Sequence, residues 1–141
     1  MSLPPEAAGS GLRHYALVEA ARQILVVDDD SAIREAISEV LQEDGYSVVT
    51  AANGQEAMAQ LSAARDQPPG LILLDLMMPV MDGWQFLDRY AEDDTLPPVP
   101  IIVISANLAA SGGIHRRDVL LYLKKPLDID RLLETVHTWC D

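Results

Sequence analysis

The chain is poor in cysteine and in aromatic residues, and it has no long apolar runs. Cys140 is the single cysteine among 141 residues, so no internal disulfide can form, which fits a reducing cytosol. Aromatic residues make up 5 % of the chain, so we expect an aliphatic core. No run approaches the roughly 20 apolar residues of a membrane-spanning helix, and no basic start followed by an apolar stretch indicates a signal peptide. A cytoplasmic protein is therefore expected.

Basic residues are also scarce. The chain carries 22 acidic and 10 basic residues, which gives a formal net charge of −12. Such a surface repels the phosphate backbone, so the charge argues against direct binding to nucleic acid. The sequence also has no glycine-rich phosphate loop, so nothing in it supports binding of a nucleotide or a flavin.

Length and composition predict one domain behind a short extension. A chain of 141 residues is long enough to build one domain with its own core. Residues 1–22 are interpreted as an extension or linker, part of it an expression remnant, because they are rich in proline, glycine and serine. A short helix over 15–22 is compatible with this segment. From Gln23 onward strand-like and helix-like segments alternate, so the domain is expected over 23–141.

Short apolar runs predict the strands. Four runs of four residues, separated by helix-length segments, are typical of buried parallel strands. They are Ile24–Val27, Leu71–Leu74, Ile101–Ile104 and Leu120–Leu123. A further segment rich in β-branched residues, Tyr46–Ala51, predicts another strand. The pattern therefore predicts five βα units.

Apolar spacing and capping residues predict the helices between these strands. Ser31 is expected to cap the first helix, and Asp30 is placed in the same cap region. Asn53 is expected to cap the second helix, the third is predicted over 84–93, and Asp128 is expected to cap the last. The predicted inner face of the last helix consists of five positions, namely Ile129, Leu132, Leu133, Val136 and Trp139.

The segment between the fourth and fifth strands is ambiguous. It contains Ser111, Gly112 and Gly113 in succession, and glycine in a helix interior costs about 1 kcal/mol. We therefore predict that a fourth helix, over 108–117, is short, displaced or mobile.

Each of the four apolar runs ends in a residue that phosphoryl chemistry can use. The first leads into Asp28, Asp29 and Asp30, and the next two lead into Asp75 and Ser105. The last leads into two lysines and a proline, Lys124, Lys125 and Pro126. In open α/β sheets functional groups gather at the carboxyl ends of the strands. These side chains are therefore expected to meet in one cleft that can hold a divalent cation and a phosphoryl group.

Taken together, these segments resemble the receiver domain of two-component response regulators. The matching stretches, in order along residues 23–141, are Val26–Asp30, Leu74–Gly83, Ile104–Ala106 and Tyr122–Leu127. Any one of them is weak, but four in the right order and with near-normal spacing are specific. The resemblance implies a flavodoxin-like, doubly wound, five-stranded parallel sheet of order 2-1-3-4-5 with five flanking helices.

The resemblance assigns Asp75 as the phosphoacceptor, and a carboxylate can accept a phosphoryl group as an acyl phosphate. Asp28, Asp29 and Asp75 would crowd negative charge, which is costly without a cation. Mg²⁺ fits because it prefers hard oxygen ligands and takes only one or two carboxylates. By resemblance, Asp29 and Asp75 ligate it directly, the backbone carbonyl of Met77 contributes, and Asp28 acts partly through water.

The remaining site roles also follow from the resemblance. Lys125, which the family joins to Pro126 by a cis peptide bond, would act as a point charge on Asp75 or its phosphate. Ser105 would donate its hydroxyl to a phosphate oxygen. Tyr122 is either a core aromatic or the family's rotating switch ring, and the switch is favoured. Lys124 is expected to be a solvated lysine, and Asp82 a turn residue before a glycine.

The predicted function is a phosphorylation switch. A histidine kinase or phosphotransfer protein would supply the phosphoryl group, and the face of the fourth helix, fifth strand and fifth helix would repack and could support a homodimer. Phosphorylation would also order 108–117. The domain would not be an enzyme beyond catalysing its own phosphorylation and autodephosphorylation.

Two alternatives remain open at this point. The first is an aspartyl-phosphate phosphohydrolase of the haloacid-dehalogenase type, which needs a second acid where this chain has Met77. The second is a degenerate receiver used only as an interaction module, against which the full set of acids and Lys125 argues.

Overall fold

The computed structural model describes residues 22–106 and 119–140, and within them it confirms the predicted α/β architecture. The described strands form one parallel five-stranded sheet of order β2-β1-β3-β4-β5. None of the helices in these ranges is long and apolar enough to cross a membrane. Most of the predicted helix over 15–22, and all of the predicted fourth helix over 108–117, lie outside the described residues.

Strand and helix bounds follow the sequence pattern closely. The strands are β1 (Gln23–Val27), β2 (Ser47–Ala51), β3 (Leu71–Asp75), β4 (Ile101–Ser105) and β5 (Val119–Lys124). The described helices are α1 (Ser31–Glu43), α2 (Gly54–Ala63), α3 (Gly83–Glu92) and α4 (Ile129–Cys140). The helix α4 is the one that the sequence pattern placed fifth.

A layer of apolar side chains covers each face of the sheet. Every residue of β3 and β4 is buried, because helices cover both faces, and this explains why their sequences are continuously apolar. On one face, alternate strand residues pack with Leu61 of α2 and Phe86 of α3. On the other face, the intervening residues pack with Leu41 of α1 and Val136 of α4.

The cap of α1 differs from the sequence prediction. The N-cap is Asp30, not Ser31, because the Asp30 carboxylate accepts hydrogen bonds from the backbone N–H of Ala32 at 2.9 Å and Ile33 at 3.3 Å. Ser31 is the first helical residue instead. Asn53 caps α2 as predicted, since its side chain accepts from the N–H of the third helical residue.

The inner face of α4 is narrower than predicted. It follows Leu132 and Val136, which are buried, and Leu133 packs against the same cluster as predicted. Cys140, four residues after Val136, continues this face. Trp139 lies one position off this line and is 46 % exposed. Ile129, in the first turn, is 41 % exposed and lines a shallow apolar cleft beside α1 instead of the core.

Candidate functional site

Strand register brings the predicted site residues to one edge of the sheet. Val27 pairs with Leu74, so the next residue on each strand places Asp28 beside Asp75. On the other side of β3, Asp75 pairs with the residue that precedes Ser105. Ser105 in turn pairs with Lys124, and Lys125 follows at the end of β5. Residues far apart in sequence thus end four adjacent strands side by side, as the sequence predicts.

Three carboxylates meet at the centre of this edge. Oxygens of Asp28, Asp29 and Asp75 lie within 4.8 Å of one another. Asp28 and Asp75 are buried, whereas Asp29 is exposed and opens the cluster to solvent. The cluster therefore combines two buried carboxylates with one accessible carboxylate, an arrangement that a hydrated cation can reach.

Lys125 neutralises part of this charge. Its Nζ donates a hydrogen bond to Asp28 Oδ2 at 2.9 Å and lies 3.6 Å from Asp75 Oδ1. The Lys125–Pro126 peptide bond is cis, as the resemblance implies. Lys124, one residue earlier, is exposed as predicted. One ammonium thus serves two buried carboxylates, and the cluster keeps a negative excess.

The electrostatics of Asp75 differ from those of an ordinary surface acid. Burial, together with the nearby charge of Asp28, raises the pKa of Asp75 above its usual value, although Lys125 and the Met77 N–H partly oppose the rise. For Lys125, burial lowers the pKa, but its hydrogen bond with Asp28 and the charges of both aspartates outweigh burial and raise it overall. Lys125 therefore stays charged, whereas the negative charge on Asp75 lowers the stability of the fold.

The loop after β3 carries the predicted carbonyl ligand. The Met77 N–H donates to Asp75 Oδ1 at 3.4 Å, and the Met77 side chain is 74 % exposed. Asp82 ends this loop as the N-cap of α3 in a reciprocal capping box with Gln85, a more specific role than the predicted turn residue.

The two predicted switch residues lie on neighbouring strands. Ser105 is buried at the end of β4, and its backbone carbonyl accepts a hydrogen bond from the Lys125 N–H at 2.9 Å. Tyr122 is half-buried on β5 and packs against the core cluster that contains Val103. A ring at such a position can contribute to the core and still exchange between inward and outward rotamers.

Sequence reasoning missed two groups that hold Asp28. Arg34, on the first turns of α1, donates from Nη1 to the backbone carbonyl of Asp28 at 2.7 Å. The backbone N–H of Asp30 donates to Asp28 Oδ1 at 2.9 Å. The i to i+6 spacing of Arg34 gives no signal in the sequence, because the contact depends on how α1 leaves β1.

A comparison with known families identifies this domain. Residues 24–137 match the response regulator receiver domain. The chain belongs to this family. Receiver domains of response regulators are signalling domains, and they bind Mg²⁺ at an acidic pocket. The receiver domain described here has the order of strands that the resemblance implies and the acidic cluster that the strand ends predict.

Curated relatives show two contexts for such a receiver domain. NtrC of Salmonella typhimurium, named as a DNA-binding transcriptional regulator, is 34 % identical over 114 residues, which are 81 % of this chain and 24 % of NtrC. DivK of Brucella anthropi, named as a polar-differentiation response regulator, is 27 % identical over 121 residues, which are 84 % of this chain and 95 % of DivK. This chain therefore spans about a quarter of one relative and nearly all of another.

A solved structure gives the same fold. The response regulator TrrA from Thermotoga maritima, crystallised with Mg²⁺ and BeF, is similar to this chain with a TM-score of 0.71 and 31 % identity, over 83 % of this chain and 97 % of TrrA.

The donor set of this receiver domain suits Mg²⁺. Its grouped ligands are carboxylate oxygens, which are the hard donors this ion prefers. Lys125 leaves net negative charge at the cluster, so a divalent cation is also favoured electrostatically.

Proposed function

We propose that this receiver domain is a phosphorylation switch whose phosphoacceptor is Asp75. The observation that carries the proposal is the setting of that carboxylate. Asp75 is only 5 % exposed, yet it lies beside an ammonium at 3.6 Å and within 4.8 Å of oxygens of two further acids. A buried acid with this much charge around it is costly for folding alone, which supports a chemical role.

The proposed phosphodonor is a histidine kinase or phosphotransfer protein. An Asp75 oxygen would attack phosphorus, forming a P–O bond, while the P–N bond to the donor imidazole breaks and its electron pair stays on that nitrogen. The transition state of such transfers is loose, so positioning and charge neutralisation provide most of the catalysis.

Each neighbour of Asp75 has a proposed part in this transfer. Asp29 and Asp75, with the Met77 carbonyl, would hold Mg²⁺ directly, and Asp28 would hold it partly through water. Bound Mg²⁺ would supply charge neutralisation between the carboxylates and the incoming phosphoryl oxygens. Lys125 is already within 3.6 Å of Asp75 and would pair with a phosphoryl oxygen there.

The proposed output is a local rearrangement. The Ser105 hydroxyl would donate to a phosphoryl oxygen, and Tyr122 would rotate inward on the adjacent strand. The face that includes β5 and α4 would then repack, providing a surface for a homodimer or another partner. This is a two-state element biased by a local change of charge.

Family membership favours this function over the alternatives. A haloacid-dehalogenase enzyme would place a second acid at the position of Met77, whose side chain is exposed and apolar. A degenerate receiver would lack part of the cluster, whereas the acids and Lys125 are assembled here.

The net charge of −12 argues against direct DNA binding by this chain, and its single cysteine supports a cytoplasmic location.

Phosphorylation by a small donor tests the assignment. Incubation with acetyl phosphate and Mg²⁺ should add one phosphoryl group by intact mass spectrometry, and excess EDTA should prevent the addition. Asp75→Ala should abolish it, whereas the exposed-acid control Asp66→Ala should not. Uptake that persists in Asp75→Ala, or that is unchanged in EDTA, would contradict the proposal.

A further inference from the structure

The loop between β3 and α3, residues 76–82, is closed at its base. The Gly83 N–H donates to the Leu76 carbonyl at 2.9 Å. A Cβ at residue 83 would lie 2.6 Å from the Asp75 carbonyl oxygen, so only glycine allows this approach. The base of the loop is therefore fixed directly against Asp75.

The middle of the loop is strained. Val80 has a φ of 67°, and the Met81 N–H donates to the Pro79 carbonyl at 2.7 Å across it, which forms a γ-turn. A β-branched residue rarely adopts positive φ, and such conformations persist only where surrounding contacts hold them. Val80 is itself 73 % exposed, so the contacts that hold this turn must act on its neighbours.

One such contact comes from the junction between β2 and α2. The Gly54 N–H donates to the Met81 carbonyl at 2.9 Å. A Cβ on residue 54 would lie 2.9 Å from that carbonyl oxygen and 2.8 Å from Met81 Cγ. The approach therefore requires a glycine at the first position of α2.

The same junction also contacts the other arm of the acidic cluster. The Ala51 carbonyl accepts a hydrogen bond from the Asp28 N–H at 3.1 Å. Between these two contacts the junction is held by its own cap, because Glu56 donates its N–H to Asn53 Oδ1 at 2.9 Å and accepts from the Ala52 N–H at 3.2 Å. A short, capped segment thus connects the Asp28 arm to the loop that carries Met77.

We infer that the junction of residues 51–54 is a brace that fixes the two arms of the Mg²⁺ site relative to each other, with Gly54 as its positioning residue. The contacts of Gly54 that support this role are with Met81. Gly54 acts through the Met81 carbonyl, which sets the course of the loop between Asp75 and α3. The inference rests on the proposed function, since it assigns Gly54 a role toward the proposed ion.

The test is a Mg²⁺ titration of the full chain, in which the amide NMR shifts of Asp29 and Met77 report binding. Gly54→Ala should weaken Mg²⁺ binding about tenfold, the scale typical of residues that orient metal ligands. In metal-free protein it should also shift the Asp75 and Met77 amides. If Gly54→Ala does not fold, the double variant Gly54→Ala with Met81→Ala takes its place. The second substitution removes the clash with the Met81 side chain and leaves only the clash with the Met81 carbonyl oxygen. The same weakening of Mg²⁺ binding is expected.

Two matched variants separate positioning from lost stability. Gly45, between the end of α1 and the start of β2, lies at the end of the sheet away from the acidic cluster and has a φ of 94°. Gly45→Ala should therefore lower stability but leave Mg²⁺ affinity within about twofold. Met81→Ala keeps the backbone hydrogen bond to Gly54 and should also bind Mg²⁺ normally.

Each result bears on the inference. Normal Mg²⁺ affinity in Gly54→Ala, or equal weakening in Gly45→Ala, would overturn the brace while leaving the phosphorylation switch intact. A wild-type protein that binds no Mg²⁺ would overturn the proposed metal site and the brace together.

Discussion

Replacing Asp75 by asparagine should stabilise the fold when no divalent cation is present. The substituted side chain keeps the size of the original and an oxygen for the Met77 N–H, but it removes a buried negative charge. Because burial and then Asp28 raise the pKa of Asp75, the ionised carboxylate opposes folding. The variant removes this opposition.

The size of the effect follows from the neighbouring charges. At an effective dielectric constant of about 20, repulsion across the 4.8 Å limit between Asp28 and Asp75 oxygens is about 3 kcal/mol. Asp29, which lies within the same limit but is exposed, adds a weaker, screened repulsion. Lys125, at 3.6 Å and shared with Asp28, contributes about 4–5 kcal/mol of attraction, so the neighbouring charges roughly cancel. The cost of burying the carboxylate is then left uncompensated. We expect the free energy of unfolding to rise by about 1–3 kcal/mol in Asp75→Asn.

The stability difference between Asp75→Asn and wild type should depend on pH. Above the raised pKa of Asp75 the wild-type side chain is charged and the variant should be the more stable. As the pH falls through that pKa, protonation removes the charge, and the difference should shrink toward zero. Urea unfolding in EDTA at about pH 7.5 and again near pH 4 measures the difference in unfolding free energy between variant and wild type with Asp75 charged and with Asp75 protonated. Asp66→Asn, at an exposed acid, is the control. A variant less stable than wild type at the higher pH, or a difference independent of pH, would refute the reasoning.

Three further predictions concern residues around the site. Lys125→Ala should lower stability, because Asp28 and Asp75 lose their ammonium, but should largely retain the fold. It should uncouple phosphorylation from the conformational response, so that the phosphate-induced NMR shifts differ from those of wild type; the same shifts as in wild type would rule out its role. Val80→Gly relieves a positive φ that costs about 1–2 kcal/mol, which exceeds the roughly 0.5–1 kcal/mol that glycine costs through the freer unfolded chain. The free energy of unfolding measured with urea should therefore rise, by up to about 1 kcal/mol, and a decrease would argue against strain. Asp30→Ala should lower it by about 1 kcal/mol through loss of the α1 cap, and no change would show the cap to be unimportant.

Local sequence patterns predicted the elements of this fold well. The runs that form β3 and β4 are continuously apolar because both faces of those strands are covered. Both strands and their positions could therefore be predicted from the sequence. The order of the strands came from the resemblance and was confirmed. The meeting of Asp75 with Lys125 was expected because functional groups gather at the carboxyl ends of parallel strands, and the two side chains lie 3.6 Å apart.

Details that depend on orientation were less predictable. Asp30 and Ser31 are both good capping residues in adjacent positions, and only the path of the chain out of β1 makes Asp30 the cap. Trp139 fits an apolar helical pattern, but the exact line of contact through Val136 and Cys140 leaves it half in solvent.

Contacts between elements were beyond local pattern altogether. The hydrogen bond from Gly54 to Met81 joins segments that are distant in sequence, and nothing near either residue signals the other. The contact of Arg34 with the Asp28 carbonyl likewise depends on how α1 packs on the sheet.

Reductive trapping tests the central claim most directly. Borohydride reduces an acyl phosphate to an alcohol, so treating the phosphorylated protein and sequencing its peptides by mass spectrometry identifies the residue that carried the phosphoryl group. The account predicts homoserine in place of Asp75 and of no other acidic residue, formed only when Mg²⁺ was present during phosphorylation. Homoserine at Asp28, at Asp29 or at any other residue instead of Asp75 would contradict it.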